Sequence, residues 1–361
     1  MNKRTCLYER HQAMGALIQP FGGFDMPIQY SSIIDEHQAV RRHCGVFDVS
    51  HMGEVVVRGR DAERYVNHIF TNDVSGAPLY QIFYGMMLYP GGGTVDDLLV
   101  YKMGNEEFFI VINAANIDKD VEWMRRHAEG FDVVLDHASD RYGQLAVQGP
   151  EAEEVMEQVL ALPCRELSFY TAKTLEAAGE TVIVSRTGYT GEDGFEIYGS
   201  HAFIVAQWDR LMDSHRCTPC GLGCRDTLRF EVGLPLYGDE LSPDISPVMA
   251  GLGMFCKLDK PEFIGREALV RQKAEGVTRR LRGIEIDDRA VPRHGYKVMA
   301  DGQEVGEVTT GYRLISVDKS CAVALVDSRL QLGDRVEVQI RKKLFPGTIV
   351  KKKFYEKHYK K

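Results

Sequence analysis

The order of strand-like and helix-like segments constrains this chain most, because it repeats once and then stops. Ser31-Ser32 suit a helix N-cap, and IIDEHQAVRRHC follows at helical spacing. GEVVVRG at 53–59 reads as a strand. Asp61 then opens a helix with the apolar stripe Tyr65, Val66, Ile69 and Phe70. LLVYKM and EEFFIVIN flank Gly104-Asn105 as a hairpin, and a helix over 117–130 stops at Gly130. The same order returns: DVVLDH and QLAVQ as strands, then a helix with Pro150 at its first position. The strand pair in ETVIVSRTGYTGEDGFEIY and the helix HAFIVAQWDRLMDSH complete the second round. Two such rounds predict an α+β protein of related split βαβ (ferredoxin-like) units. They do not fit the successive βα units of a doubly wound sheet.

From Arg279 the period changes to short β runs, RRLRGIEI, EVGEVTTG, CAVALVD and DRVEVQI, with Gly and Asp turns between them. That pattern predicts a small closed antiparallel β-barrel domain. The boundary is expected near Gly276, giving 1–275 as two interleaved α+β domains and 276–361 as the barrel. A chain of 361 residues is long enough for two or three such units.

Charge and cysteines narrow the function. The net charge of -8 disfavours nucleic acid as a partner. The basic tail RKKLFPGTIVKKKFYEKHYKK, with nine Lys/Arg and one acid, reads as a solvated barrel face. No run approaches bilayer length, FFIVI at 108–112 being strand-sized, and no uninterrupted apolar signal segment opens the chain. No membrane association and a cytoplasmic location are therefore expected. Among the eight cysteines, Cys217, Cys220 and Cys224 have spacing that zinc or an iron–sulfur cluster could use. A closed site wants a fourth ligand, and Cys256 is the one later cysteine at modest distance. Plain reduced thiols and no metal are expected.

The candidate site residues lie elsewhere. YPGGGTVDDLLVY at 89–101 sets two adjacent carboxylates between a glycine turn and an apolar strand. If the strand begins at the pair, Asp96 and Asp97 point to opposite sides, one capping the turn and the other entering a cleft. RTGYTGEDGFEIY reads as a solvated hairpin tip, except that alternation turns Glu196 away from Phe195 and Ile197. Arg225-Asp226 fits either a core ion pair or a clamp on substrate. PFGGFDMP at 20–27 reads as a loop held by prolines at both ends. GxGxxG before a helix, a P-loop, GxSxG and HExxH are all missing, so the residues alone give a polar, aromatic-lined cleft.

An ordered series of motifs says more. DVSHMGE at 48–54, TND at 71–73, GGTVDDLLVY at 92–101, NAANIDKD at 113–120 and LAVQGPEAE at 145–153 come first. SRTGYTGEDGFE at 185–196, GLGCRDTLRFEVGLPLYGDEL at 221–241, FIGREAL at 263–269 and PRHGY at 292–296 follow. With these motifs the chain resembles, from Thr5 to Tyr355, the aminomethyltransferase (T protein) family of the glycine cleavage system. The resemblance implies a three-domain cloverleaf around tetrahydrofolate as co-substrate. It also implies a lipoylated H-protein as partner, whose lipoyl group carries the aminomethyl unit. The methylene carbon would pass to tetrahydrofolate, giving 5,10-methylenetetrahydrofolate, ammonia and dihydrolipoyl H-protein.

On the same resemblance, Asp97 falls on the family's essential aspartate. Tyr84, Leu99 and Tyr101 share its folate-contacting segment, Glu196 and Arg225 contact folate elsewhere, and Tyr359 corresponds to a late substrate-contacting tyrosine. With the ordinary carboxylate pKa near ~3.9, Asp97 is expected to orient the folate amine and stabilise cationic charge rather than move protons. A noncatalytic folate-binding protein on the same scaffold is the rival from another class. Retention of Asp97, Glu196 and Arg225 together favours transfer. The chain departs from the family at Tyr89-Pro90-Gly91, at Gly22-Gly23-Phe24-Asp25, at Cys224 in place of a customary alanine, and at 310–320, which lacks a Phe-Ser-Pro run.

Overall fold

The computed structural model describes residues 2–360. It opens with helix α1 (Tyr8–Ala13), the hairpin β1 (Leu17–Phe21) and β2 (Phe24–Gln29), helix α2 (Ile33–Arg42) and strand β3 (Gly45–Asp48). The first α+β unit follows: β4 (Gly53–Arg58), α3 (Ala62–Ile69), β5 (Ile82–Leu88), β6 (Thr94–Gly104), β7 (Glu107–Ile112), α4 (Ile117–Arg126) and β8 (Val134–His137). Its sheet is antiparallel in the order β5-β6-β7-β4-β8. Tyr65, Val66, Ile69 and Phe70 bury the stripe of α3 against Val55, Val57, Val100 and Ile110 of that sheet.

The second unit has β9 (Gly143–Gln148), α5 (Ala152–Gln158), β10 (Ala172–Ala177), β11 (Glu180–Ser185), β12 (Gly194–Gly199) and α6 (His201–Ser214). Strand β13 (Thr218–Pro219) and helix α7 (Leu222–Glu231) complete it. The sheet order β10-β11-β12-β9-β3-β13 takes in β3 from the start of the chain, so the two units interleave. They meet on aromatic side chains: Tyr101 and Phe109 of the first sheet pack edge-on against Tyr198 of the second. After α8 (Arg266–Glu275), six strands close a barrel: β14 (Arg279–Ile286), β15 (Lys297–Ala300), β16 (Gln303–Arg313), β17 (Ser320–Asp327), β18 (Arg335–Ile340) and β19 (Lys343–Val350).

The α+β class with a terminal antiparallel barrel is therefore as the sequence predicts; several local readings are not. Residues 20–27 form the β1–β2 hairpin rather than a loop, turning at Gly22 and Gly23, whose φ values of +56° and +84° suit glycine. The helix after Asn116 ends at Arg126, a turn before Gly130. Pro150 lies outside α5, because the Ala152 amide bonds back to the Gly149 carbonyl at 3.0 Å and starts the helix later. β10 was not expected, since AKTLEA is half exposed and poor in β-branched residues.

The expected solvated tip at 186–196 is buried. Arg186 forks onto Asp193 at 2.9 and 2.6 Å, and Glu192 accepts from Arg41 at 2.9 Å. Arg41 also donates to Glu231 at 3.0 Å, and Glu231 accepts the Ile315 and Ser316 amides at 2.9 and 2.8 Å. The divergent 310–320 segment is thereby tied to α2 and α7. The basic tail differs too. Beyond β19 it leaves the barrel and crosses the α+β units, its Phe354 amide on the Glu231 carbonyl and its His358 amide on that of Gly191. A charged tail follows this path because buried carbonyls, not the barrel ladder, offer its amides their partners.

Candidate functional site

Between the two sheets, the segment after α7 and the basic tail lies a cavity of about 990 Å³, at the upper end of ligand-site sizes. Asp97 forms part of its wall. The strand begins at Thr94, not at the acid pair, so alternation buries Asp96, Leu98 and Val100 and turns Asp97 and Leu99 to the cavity. Asp96 does not cap the glycine turn, which closes through its own backbone by the Tyr89 amide on Gly93 and the Gly92 amide on Tyr89.

Asp96 instead accepts the Asn113 amide N–H at 3.0 Å, Asn113 Nδ2 at 2.8 Å and Asn116 Nδ2 at 2.6 Å. The same Asn113 Nδ2 reaches Asp97 Oδ1 at 3.0 Å, and the Tyr84 hydroxyl donates to Asp97 Oδ2 at 2.9 Å. Burial, with the Asp96 charge alongside, pushes Asp97 up to about 7. The expectation of an ordinary acidic carboxylate fails here, because desolvation outweighs the two donated hydrogen bonds. At neutral pH the group is poised both to accept and to return a proton.

Across the cavity, Glu196 of β12 accepts from Gln144 Nε2 at 3.1 Å and Thr187 Oγ1 at 2.5 Å. Burial raises its pKa, opposed by Thr187 and Arg225. Arg225, on the first turn of α7, lies over the Tyr189 ring at 4.8 Å, and its Nη1 has no hydrogen-bond partner among the described residues. Asp226, by contrast, is occupied with Arg229 at 2.6 Å and the Tyr312 hydroxyl. The two alternatives for Arg225-Asp226 thus separate: the arginine faces the cavity and the aspartate makes the internal ion pair.

Six of the seven residues singled out from sequence line one space: Tyr84, Asp97, Leu99, Glu196, Arg225 and Tyr359. Tyr359 arrives with the tail and stacks on Phe169, ring centres 4.3 Å apart. Tyr101 stands behind the wall. It is fully buried, and its hydroxyl shares hydrogen bonds with Tyr198 at 2.9 Å and Ser185 at 3.3 Å. Asn113, Tyr170 and Tyr189 belong to the site but were not singled out. The NAAN and GYTG strings held that signal, yet nothing local aims an asparagine at an acid 16 residues away. His51 also lines the cavity, and burial lowers it to about 4, leaving it neutral.

The cysteine group divides. Cys217 lies 3.3 Å from Cys44, sulfur to sulfur, while Cys256 packs in the core beneath the barrel. Cys220, Cys224 and Glu36 bring potential ligand atoms within 4.8 Å of one another. Glu36, however, already accepts the amides of Tyr30, Ser31 and Gly221. Burial pushes the Cys220 thiol well above its usual value.

Residues 7–260 match the family described as the GCVT N-terminal domain, and 279–356 match the glycine cleavage T-protein C-terminal barrel domain. An aminomethyltransferase of Lysinibacillus sphaericus (strain C3-41) is 48% identical over 360 residues, covering 98% of each chain. One from Caldanaerobacter subterraneus subsp. tengcongensis is 47% identical over 364 residues, covering 99% of this chain and 97% of the relative. The crystal structure of glycine cleavage system aminomethyltransferase T from Bartonella henselae superposes with a TM-score of 0.95 at 30% identity, over 100% of both chains.

Proposed function

Given that the chain belongs to the glycine cleavage T-protein family of aminomethyltransferases, we propose that it transfers a methylene carbon from S-aminomethyl-dihydrolipoyl H-protein to tetrahydrofolate. The single observation that carries this reading is the placement of Asp97, with its raised proton affinity, on a cavity wall opposite Glu196 and Arg225. A pterin carries a donor edge suited to a carboxylate such as Glu196 and a carbonyl oxygen suited to the free Arg225 Nη1. Tyr84, Tyr170 and Tyr189 supply aromatic surface for its flat ring.

The reaction breaks the carbon–sulfur bond and the bond from carbon to the amine nitrogen. It forms two bonds from that carbon to the folate nitrogens N5 and N10. The hydrogens leaving N5 and N10 appear on the released thiol and on ammonia. A single carboxyl near neutrality serves both directions, taking a proton from one nitrogen and returning it to a leaving group. As an anion it also stabilises positive charge on the carbon in transit. Tyr84 and Asn113 hold its two oxygens in place.

The tail adds a third element. Lys351, Lys352, Lys353 and Lys357 border the cavity, where they favour the carboxylate end of folate and an acidic carrier surface. The deciding assay combines aminomethylated lipoyl H-protein with tetrahydrofolate and follows ammonia and methylenetetrahydrofolate together, at low and high salt. Equal appearance of both products is expected, with a KM for H-protein that rises with salt. Neither product above control overturns the assignment.

A further inference from the structure

The line of carboxyl groups does not end at Asp96. Asp120, on the first turn of α4, is fully buried and adjoins Asp96. Its two oxygens meet no hydrogen-bond donor among the described residues. The Lys119 ammonium lies 3.4 Å from Asp120 Oδ1, but it donates to the Val95 carbonyl and to the Tyr237 hydroxyl.

Two carboxyls in contact inside a protein do not both ionise; one carries a proton and donates it to the other. Asp96 takes three N–H donors, an environment that favours the anion. Asp120 takes no neutral donor and has only the Lys119 ammonium at 3.4 Å, so it is the less well held anion and the acid of the pair. Burial, then the Asp96 charge, pushes Asp120 up to about 11.

We propose that Asp120 is a positioning residue for the transfer: as a neutral acid it donates to Asp96, locks the bracket that Asn113 makes between the two strand carboxylates, and so sets the orientation and ionisation of Asp97. The bracket is one amide group. Asn113 Nδ2 lies 2.8 Å from Asp96 Oδ1 and 3.0 Å from both Asp97 Oδ1 and the Asp97 carbonyl, so a tilt of that amide disturbs all three contacts. Asn113, Asn116 and Asp120 all come from one short stretch leading into α4, which places the donor, the bracket and the acid on one rigid support.

The groups facing Asp97 are Asp96 from its own strand, Tyr84 from β5, and Tyr170, Tyr189 and Tyr237 from the surrounding segments. Lys119 and Asp120 of α4 face Asp96 from behind. Burial holds the four tyrosines protonated, so Asp96 is the neighbour whose charge can move Asp97. The inference rests on the transfer reading in that Asp97 must act on substrate; the carboxyl pair itself does not depend on it.

Two variants and two readouts test the proposal. Asp120→Asn keeps a donor toward Asp96, and its kcat–pH profile should superimpose on that of the parent enzyme. Asp120→Ala removes the donor, leaves the Asp96 charge less shared and loosens the Asn113 bracket, so the Asp97 inflection should rise by roughly half a pH unit or more. An unmoved profile in Asp120→Ala, or a shift in Asp120→Asn equal to that in Asp120→Ala, overturns the proposal.

Infrared difference spectra of the folded, substrate-free protein at about pH 8 give the second readout, where a carboxyl near 11 is still an acid. Buried Glu54 contributes a carboxylic-acid band of its own; beside it, the Asp120 component should be lost in the Asp120→Asn minus parent difference and kept in the Asp97→Asn difference. A band unchanged in Asp120→Asn defeats the idea even if Asp120→Ala does not fold. Absence of transfer activity with the band lost as expected would instead fault the functional reading alone.

Discussion

Replacing Asp97 by Asn should make the protein more stable and nearly inactive, by amounts that follow from one buried carboxyl. The amide is isosteric. Its oxygen can accept from Asn113 Nδ2, and its NH2 can donate to Tyr84, whose hydroxyl rotates to accept. The unfolded chain ionises Asp97 in the ordinary carboxylate range, whereas the folded chain holds it at about 7. A raised carboxyl pKa means stability present at low pH and lost as pH rises through the folded value. At about 1.4 kcal/mol per pH unit, the cost at alkaline pH is about 4 kcal/mol.

The melting-temperature gap between variant and parent should therefore be near zero at about pH 4. It should widen through neutrality and reach roughly 3–5 °C at about pH 8 for a chain of this size. Calorimetry across that range measures it. In parallel, turnover should fall about 10²–10³-fold while folate affinity changes little. A variant less stable than the parent at pH 8, or a gap that does not depend on pH, would refute the raised pKa. Equal losses in turnover and affinity would refute the assignment of a chemical role.

The glycine turn and the buried ion pairs offer further tests. A Cβ on Gly93 would sit 1.8 Å from the Pro243 carbonyl oxygen, whereas one on Gly91 meets nothing within 4 Å. Gly93→Ala should lose about 2 kcal/mol or more in chemical denaturation, and Gly91→Ala should stay within about 0.5 kcal/mol of the parent. Arg41→Met strands Glu192 and Glu231 without their shared guanidinium and should cost about 3–5 kcal/mol. His37 and Ser316 also hold Glu231 down, to about 2. Its contribution is therefore complete above the ordinary Glu pKa and is lost as pH falls towards about 2, so the deficit of Arg41→Met seen by denaturation should shrink in acid.

What could be read from the sequence was whatever periodicity and order encode. The stripe Tyr65-Val66-Ile69-Phe70 packs where it was expected, and Ser32 caps α2 by accepting the Asp35 amide. The short β runs after Arg279 close into a barrel. Tyr101 shows the limit of carrying a contact across by motif, since its ring faces the partner sheet rather than the cavity.

Sequence by itself determined the α+β class, the barrel and the ordered motifs that place the chain in its family, because these depend on residues near one another along the chain. Tertiary structure alone decided the proton affinity of Asp97, the direction of Asp96, the burial of Glu192 and Asp193, and the path of the basic tail over the cavity. Each of those depends on which distant groups exclude water or donate a hydrogen bond. Asn113 and Asp120 reach Asp96, Arg41 reaches Glu192, and the tail's Phe354 amide reaches the Glu231 carbonyl only when the chain is folded.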